Sequence, residues 1–372
     1  GWKIWYVHEA VVEHEEDFWW TQATTSKQAA KRKVFLDKTR RAITAVTLCG
    51  GTANQRTSEA LLARVLPRFD KNVLACLRRL YPGSKGSYLR PLEPDLLGEA
   101  MVWRTMGILQ NGGDLPQTFL DQVFAGECAR ALENGFTVLG RLSVEHPAEV
   151  RPWLGHMLDR DLDWRALVAL EAAKLLGEKT AHAWVGIELA AALEQGGSVE
   201  LARRLENAGV PDFTVSLREV RAWVSEMLLT EHSADDSTTE AQANRATELN
   251  NLGVRQADLG QREAALASTQ EAVDIRRQLA EQHPDTFLPD LALSLHNLSI
   301  FYGQFERFEQ ARALAQEAFD AYWQLYERYP RVYAEDVRDA IRLLETHHQP
   351  LDIPMDATTH SRMKRFLERK AE

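Results

Sequence analysis

The chain has 372 residues, which predicts two or three domains rather than one small module. Its 44 Lys and Arg against 54 Asp and Glu give a net charge of -10, which disfavours binding to nucleic acid or anionic lipid. The 3 cysteines lack any paired spacing, so neither a disulfide framework nor a cysteine zinc site is expected. No apolar run reaches the ~20 residues of a membrane helix, and we expect a cytoplasmic protein without a membrane partner.

Residues 1–36 predict an N-terminal helical segment. The sequence begins at Gly1 and not at Met, so we expect it to be part of a longer protein. His8 and His14 are six residues apart, which does not place them on one helix face as zinc ligands. A basic stretch runs from Lys27 to Arg41; a solvated helix face is the favoured interpretation, and a phosphate-facing or partner-facing surface is the alternative.

Residues 37–110 predict three helices followed by a short extended segment. The helices are expected at 42–48, 59–65 and 73–80, and Thr57 or Ser58 is expected to cap the second one. Pro and Gly residues then delimit an extended stretch at 88–92, and Asp95 begins another helix. Three helices with a small β-wing are typical of a winged helix, and this wing is where we expect the only strands.

Residues 111–230 predict further amphipathic helices, interpreted as degenerate helical repeats. Asp159, Asp161 and Asp163 imitate the opening of a calcium loop, but Trp164 stands where that loop needs Gly, so an acidic helix start is favoured. Residues 231–240 are acidic and almost free of apolar side chains, which predicts a linker.

Two segments after the linker repeat each other with a constant 46-residue shift. Leu249–Gly253 recurs as 295–299, and Gln270-Glu271-Ala272 recurs as 316–318. Each copy predicts a helical hairpin, in the first copy with helices at about 241–259 and 262–282 around a turn at Gly260. A single hairpin cannot bury its apolar face, so the hairpins are expected to stack.

The repeated unit resembles the tetratricopeptide repeat, with Pro284 and Pro330 closing the second helices. The usual unit has ~34 residues, so we expect a longer second helix and a longer loop from His283 to Pro289, as in the subclass that includes kinesin light chains. Two full repeats and a capping half repeat at 335–347 fill residues 241–348, and residues 349–372 form a tail or helix. The expected fold class is all-α: a winged-helix-like unit followed by an α-solenoid.

This resemblance implies a groove, lined by the first helices, that binds a protein or peptide. Asn251 and Asn297 hold equivalent places, and the matching asparagines of long-repeat relatives hydrogen-bond the backbone of an extended peptide. Arg255 follows Asn251 by four residues and should share its face, adding a group for carboxylates, whereas Phe301 takes that place in the second repeat. The alternative is that both asparagines only tie neighbouring helices together, and the residues leave this open.

The string LEPDLLGE at 92–99, after a Gly-rich turn and a three-helix unit, resembles the winged-helix segment of bacterial STAND-class NTPases of the NACHT and AP-ATPase type. This resemblance implies a noncatalytic regulatory or sensor region in defence or stress signalling. Its partners would be upstream NTPase and effector domains, and the full-length protein could form a homo-oligomer. The sequence lacks the motif G-x-x-x-x-G-K-[ST], so we expect no enzymatic activity and no cofactor in this chain.

Two other functions remain open at this point. One is a free-standing scaffold that assembles partner proteins. The other is a winged-helix transcription regulator, against which the net charge of -10 counts.

Overall fold

A computed structural model of the chain describes residues 26–84, 86–92, 95–126, 128–177, 184–211, 215–230, 238–351 and 355–368. These residues form two compact units: the first runs to Gly197 and includes 215–217, and the second covers 198–211 and the residues from Arg218 onwards. Within the described ranges the regular elements are helices, and no strand occurs. The prediction of an all-α fold is confirmed.

Nine α-helices build the described part of the first unit. They are α1 (Ser26–Leu48), α2 (Gln55–Val65), α3 (Lys71–Leu80), α4 (Asp95–Asn111), α5 (Pro116–Val123), α6 (Ala129–Glu145), α7 (Pro147–Asp159), α8 (Leu162–Gly177) and α9 (Trp184–Gly196). The three helices predicted between 42 and 80 are present as α1, α2 and α3, each longer at its N-terminus. Helix α1 runs through the predicted boundary at residue 36.

The last two turns of α1, residues 42–48, are buried in the first unit. Ala42, Ala45 and Val46 are fully buried, as expected for a helix with apolar or small residues on every face. The last carbonyls of α1 find a partner on α6, because Nδ2 of Asn134 donates to Thr47 O at 2.9 Å and to Leu48 O at 3.1 Å. This side chain satisfies acceptors that no intrahelical N–H can reach.

The N-cap of α2 differs from the prediction. Asn54 is the cap: its Oδ1 accepts a hydrogen bond from the backbone N of Thr57 at 2.9 Å, and Thr57 Oγ1 accepts one from Asn54 N at 3.1 Å. Ser58 lies buried one residue further on, and its hydroxyl contacts Thr52 Oγ1 at 2.6 Å. The prediction that Thr57 or Ser58 caps the helix was therefore wrong, since Thr57 occupies the third helical position of a reciprocal capping box.

The predicted wing contains no strand among its described residues. Leu89 forms two isolated bridges, one with Thr52 and one with Pro82. Pairing ends there because Pro82 and Pro91 lack the N–H that a longer ladder would need. The expectation of strands at 88–92 was wrong: Leu89 is held by one bridge to the α1–α2 turn and by one to the residues that follow α3.

The second unit consists of helical hairpins. Its helices are α10 (Val199–Ala208), α11 (Arg218–Leu229), α12 (Thr239–Asp258), α13 (Arg262–Gln282), α14 (Pro284–Gln304), α15 (Phe308–Arg328), α16 (Pro330–His348) and α17 (Ala357–Glu368). We call α12/α13 the first repeat, α14/α15 the second repeat and α16/α17 the third hairpin. The predicted linker lies mostly outside the described residues; Thr238 caps α12, which already includes Thr239 and Glu240.

The lengths of helices and turns account for the 46-residue period. Helices α13 and α14 have 21 residues each, and only His283 separates them. Pro284 is the first residue of α14, a position that tolerates the missing N–H, and Pro289 lies inside the same helix. The predicted loop from His283 to Pro289 was therefore wrong: the residues beyond the usual unit lengthen the helices and not the loop.

Small residues set the close approach of the two helices in each repeat. A Cβ on Gly253 would lie 2.0 Å from Thr269 Oγ1, so only Gly fits opposite this threonine. One period later Ser299 faces the smaller Ala315, and both are fully buried. The two repeats thus divide the available volume differently at the same crossing point.

The third hairpin is more complete than the predicted half repeat at 335–347. Helix α16 has 19 residues, and α17 falls 46 residues after the middle of α15. Phe366 of α17 meets Tyr326 of α15 edge to face, with ring centroids 5.3 Å apart. These rings join Trp323, Val337 and Ile341 in one apolar cluster, so the end of the array is closed by an aromatic core.

Candidate functional site

The first helices of the two repeats carry the predicted binding residues at equivalent positions. On α12, Thr247, Asn251 and Arg255 follow one another at intervals of four residues, which places them on one side of the helix. The same intervals on α14 give Leu293, Asn297 and Phe301. We call the surface formed by Thr247, Asn251, Arg255, Leu293 and Asn297 the first-helix face.

The two asparagines differ in exposure and in their contacts. Asn251 is exposed, so its amide is open to solvent on α12. Asn297 is half-buried, and its Nδ2 lies 3.4 Å from the Oδ1 of Asn250, the neighbour of Asn251. Asn297 therefore ties α14 to α12, while Asn251 keeps both its donor and its acceptor available.

Arg255 and Phe301 occupy equivalent positions in the two repeats but differ in their exposure to solvent. Arg255 is half-buried on α12. Phe301 is 7% exposed and belongs to the core of the second repeat. The prediction that Phe301 lines the binding face is corrected: a large apolar ring at this position is buried between helices and does not reach a partner.

A buried polar cluster lies directly behind the first-helix face. The guanidinium of Arg276, on α13, donates to the carbonyl of Asp290 at 3.1 Å, to Thr247 Oγ1 at 3.2 Å, and to Ser294 Oγ. Ser294 Oγ in turn donates to Asn250 Oδ1 at 3.0 Å. The cluster joins α12, α13 and α14, and each polar group that it buries has a partner.

The charge of Arg276 is unusual for its surroundings. The residue is 4% exposed, and burial lowers the pKa of its guanidinium, an effect opposed by the nearby Asp290 carboxylate. A buried guanidinium needs directed acceptors, and here two hydroxyls and a carbonyl supply them. The cluster fixes the orientation of Thr247 and Asn297 relative to each other.

Sequence reasoning missed Leu293 and Thr247. Leu293 is 46% exposed although it is a large apolar residue within a helix. The signal was available in the 46-residue shift, which pairs Leu293 with Thr247 one turn before the two asparagines. An exposed leucine beside polar amides gives the face an apolar contact point.

The other sequence motifs have structural explanations where the chain is described. In the basic stretch, Lys38 pairs with Asp70 at 3.1 Å, and Arg40 and Arg41 pair with Asp37 and Asp114. Asp161 immediately precedes α8, and its carbonyl accepts from Trp164 N and Arg165 N, which is a helix start. His8 and His14 lie outside the described residues, and no group of three or more His, Cys, Asp or Glu within the described ranges could hold a metal ion.

The repeat geometry agrees with a comparison against protein families. The tetratricopeptide repeat model matches residues 246–285 and 291–327. These residues are tetratricopeptide repeats. They include the first-helix face and most of the first and second repeats, and such repeats imply a scaffold for protein–protein interaction. No curated protein matches the chain.

The matched segments cover part of the chain. None of the helices in the described ranges is long and apolar enough to cross a membrane.

Proposed function

We propose that the first-helix face binds an extended segment of a partner protein. The observation that carries the proposal is the exposed amide of Asn251, one period before Asn297, on successive first helices of tetratricopeptide repeats. A primary amide both donates and accepts, so it suits the alternating N–H and C=O groups of a peptide backbone. Leu293 would contact an apolar side chain of the peptide, and Arg255 would attract a carboxylate.

The polar cluster behind the face supports this proposal. Arg276, Ser294 and Asn250 are buried and hydrogen-bonded to one another, which holds α12 and α14 in fixed register. A face that is already ordered loses little conformational entropy when a peptide binds.

A finer proposal is that the chain is the noncatalytic sensor region of a STAND-class NTPase. Support comes from the order of parts, in which a three-helix unit precedes further helices and tetratricopeptide repeats. Partner binding would then control the NTPase only if the partner had different affinities for its resting and active states. A Walker motif in the same reading frame upstream would sustain this assignment, and its absence would leave the scaffold function alone.

Measured affinity for a captured partner tests the binding proposal. Loss of two hydrogen bonds of about 1 kcal/mol each predicts about 30-fold weaker binding by the double variant Asn251→Ala, Asn297→Ala. Gln278→Ala, at an exposed site on the second helix α13, is the matched control and should bind as the wild type does. Equal affinity of the double variant and the control would refute the assignment of the face.

A further inference from the structure

Two histidines lie where α16 packs against α14. By the 46-residue shift, His347 takes the place of Phe301, and His296 takes the place of Asn250. His347 is 4% exposed, and a Cβ on Gly303 would lie 2.3 Å from its Cε1 atom. The imidazole therefore fills the space left by a glycine of α14, and this contact sets how closely α16 approaches.

Ring nitrogens of both histidines are buried without a hydrogen-bond partner in the described part of the chain. Neither ring nitrogen of His347, nor Nδ1 of His296, has a hydrogen-bond partner among the described residues. In the preceding interface, Asn250 at the equivalent position accepts from Ser294 and Asn297. An imidazole in such surroundings is held in its neutral form, because a buried cation without an acceptor is far more costly than a neutral ring.

Titratable neighbours strengthen this preference at His347. Burial lowers the pKa of His347, and the nearby His296 and His348 lower it further. Burial also lowers the pKa of His296, but Asp339 and Asp336 of α16 oppose the effect. Asp339 is itself paired with Arg342 at 2.6 Å. The group with the least support for a positive charge is therefore His347.

We propose that the packing of α16 against α14 is a pH-sensitive latch, which opens when His347 takes up a proton and releases α16 from the second repeat. The closed interface favours neutral imidazole, whereas the open one exposes it to water, where it titrates near its ordinary value of 6.5. Closure is thus fully stable above pH 6.5 and is lost progressively as the pH falls from 6.5 towards the lower value of the closed state. Each proton taken up on opening changes the opening equilibrium by about 10-fold per pH unit in that window.

Opening would uncover an apolar surface. Val337, Ile341 and Leu344 of α16 are buried against Phe319 and Tyr322 of α15. Release of α16 exposes these side chains together and makes a surface that is hidden at neutral pH. Mild acid would in this way change both the length of the repeat array and its capacity for apolar contacts.

Hydrogen exchange of the whole chain at pH 7.5 and 5.5, corrected for intrinsic rates, tests the latch. Exchange of α16 amides, relative to α13 amides, is expected to rise about 10-fold or more in the wild type. His347→Phe, which installs the residue of the preceding repeat, should remove this rise. His360→Asn, at an exposed histidine of α17, is the control and should behave as the wild type does.

Two results would overturn the latch: no extra exchange of α16 at pH 5.5, or a rise that persists in His347→Phe. If Phe proves too large beside Gly303, His347→Gln gives a neutral polar replacement with the same expectation. An NMR titration of His347 in the wild type is independent of any variant. It should show proton uptake below pH 6.5, and titration at or above 6.5 would contradict the proposal.

Discussion

Two successive interfaces along the repeat array have the same helix arrangement but different buried side chains. Between the first and second repeats, Arg276 directs hydrogen bonds to Thr247 and Ser294. One period later Arg276 is replaced by Tyr322 and Arg277 by Trp323, both buried among aromatic and aliphatic side chains. The first interface combines a directed polar cluster with aliphatic contacts, whereas aromatic side chains dominate the second.

The small residues that recur in both repeats, and not the larger side chains between the helices, determine the helix spacing. Ala265, Ala272, Ala311 and Ala318 are all at most 1% exposed and recur at the same spacing in both repeats. When the helix spacing is the same, either a guanidinium cluster or an aromatic cluster can fill the space between the helices. The guanidinium cluster fixes the register of the helices, and the aromatic cluster buries more apolar surface.

Truncation in the aromatic interface should have the largest effect. Trp323 is 2% exposed, and its ring lies 5.9 Å from that of Phe319 and 5.5 Å from that of Tyr326. Trp323→Ala is expected to lower the free energy of unfolding by about 3 to 5 kcal/mol in urea titrations. Gln324→Ala, at the exposed neighbouring position, should change it by less than about 0.5 kcal/mol. A loss below about 1 kcal/mol for Trp323→Ala would show that the aromatic cluster does not hold the second interface.

Truncation in the polar interface should cost less, and its cost should depend on the replacement. Arg276→Ala removes hydrogen bonds to three acceptors and leaves a cavity, with an expected loss of about 2 to 3 kcal/mol by the same measurement. Arg276→Met keeps most of the volume and avoids burial of a cation, so part of that loss should be recovered. Equal losses for Ala and Met would mean that volume, and not charge or hydrogen bonding, decides stability here.

The smallest of these effects concerns the crossing point within the first repeat. Gly253→Ser introduces a side chain against Thr269 and should destabilise the chain by about 1 to 2 kcal/mol. The second change Thr269→Ala reproduces the Ser299 and Ala315 pairing of the second repeat and should restore most of that loss. A double-mutant cycle measures the coupling between the two sites. Additive changes in the free energy of unfolding would contradict the idea that a larger residue at position 253 requires a smaller one at position 269.

Much of the repeat architecture follows from the sequence because helix length and spacing are local properties. The helix predicted at 262–282 is present at those residues as α13, and the turn at Gly260 has the left-handed φ of 73° that favours glycine. The loop at 283–289 was mispredicted because Pro284 was interpreted as the end of a helix and part of the extra length of the 46-residue unit was assigned to a loop. Proline is tolerated near a helix N-terminus, and the sequence does not reveal where that terminus lies.

The candidate site was harder to predict because burial is set by neighbouring helices. Periodicity put Phe301 on the same side as Asn297 but could not show that the ring is covered. Nor could it show that Asn297 bonds Asn250, whereas Asn251 remains exposed. The prediction of a β-wing was wrong for a related reason, since Leu89 pairs with Thr52 of the α1–α2 turn as well as with Pro82.

Site-specific photo-crosslinking tests the binding role of the first-helix face most directly. A photoreactive phenylalanine analogue replaces Leu293 on α14 in one variant and Gln278 on α13 in the other, both at exposed positions. We expect that a partner protein is captured from Leu293 and not from Gln278, and that excess unlabelled partner suppresses the product. Capture from Gln278 alone, or equal capture from both positions, would contradict this expectation.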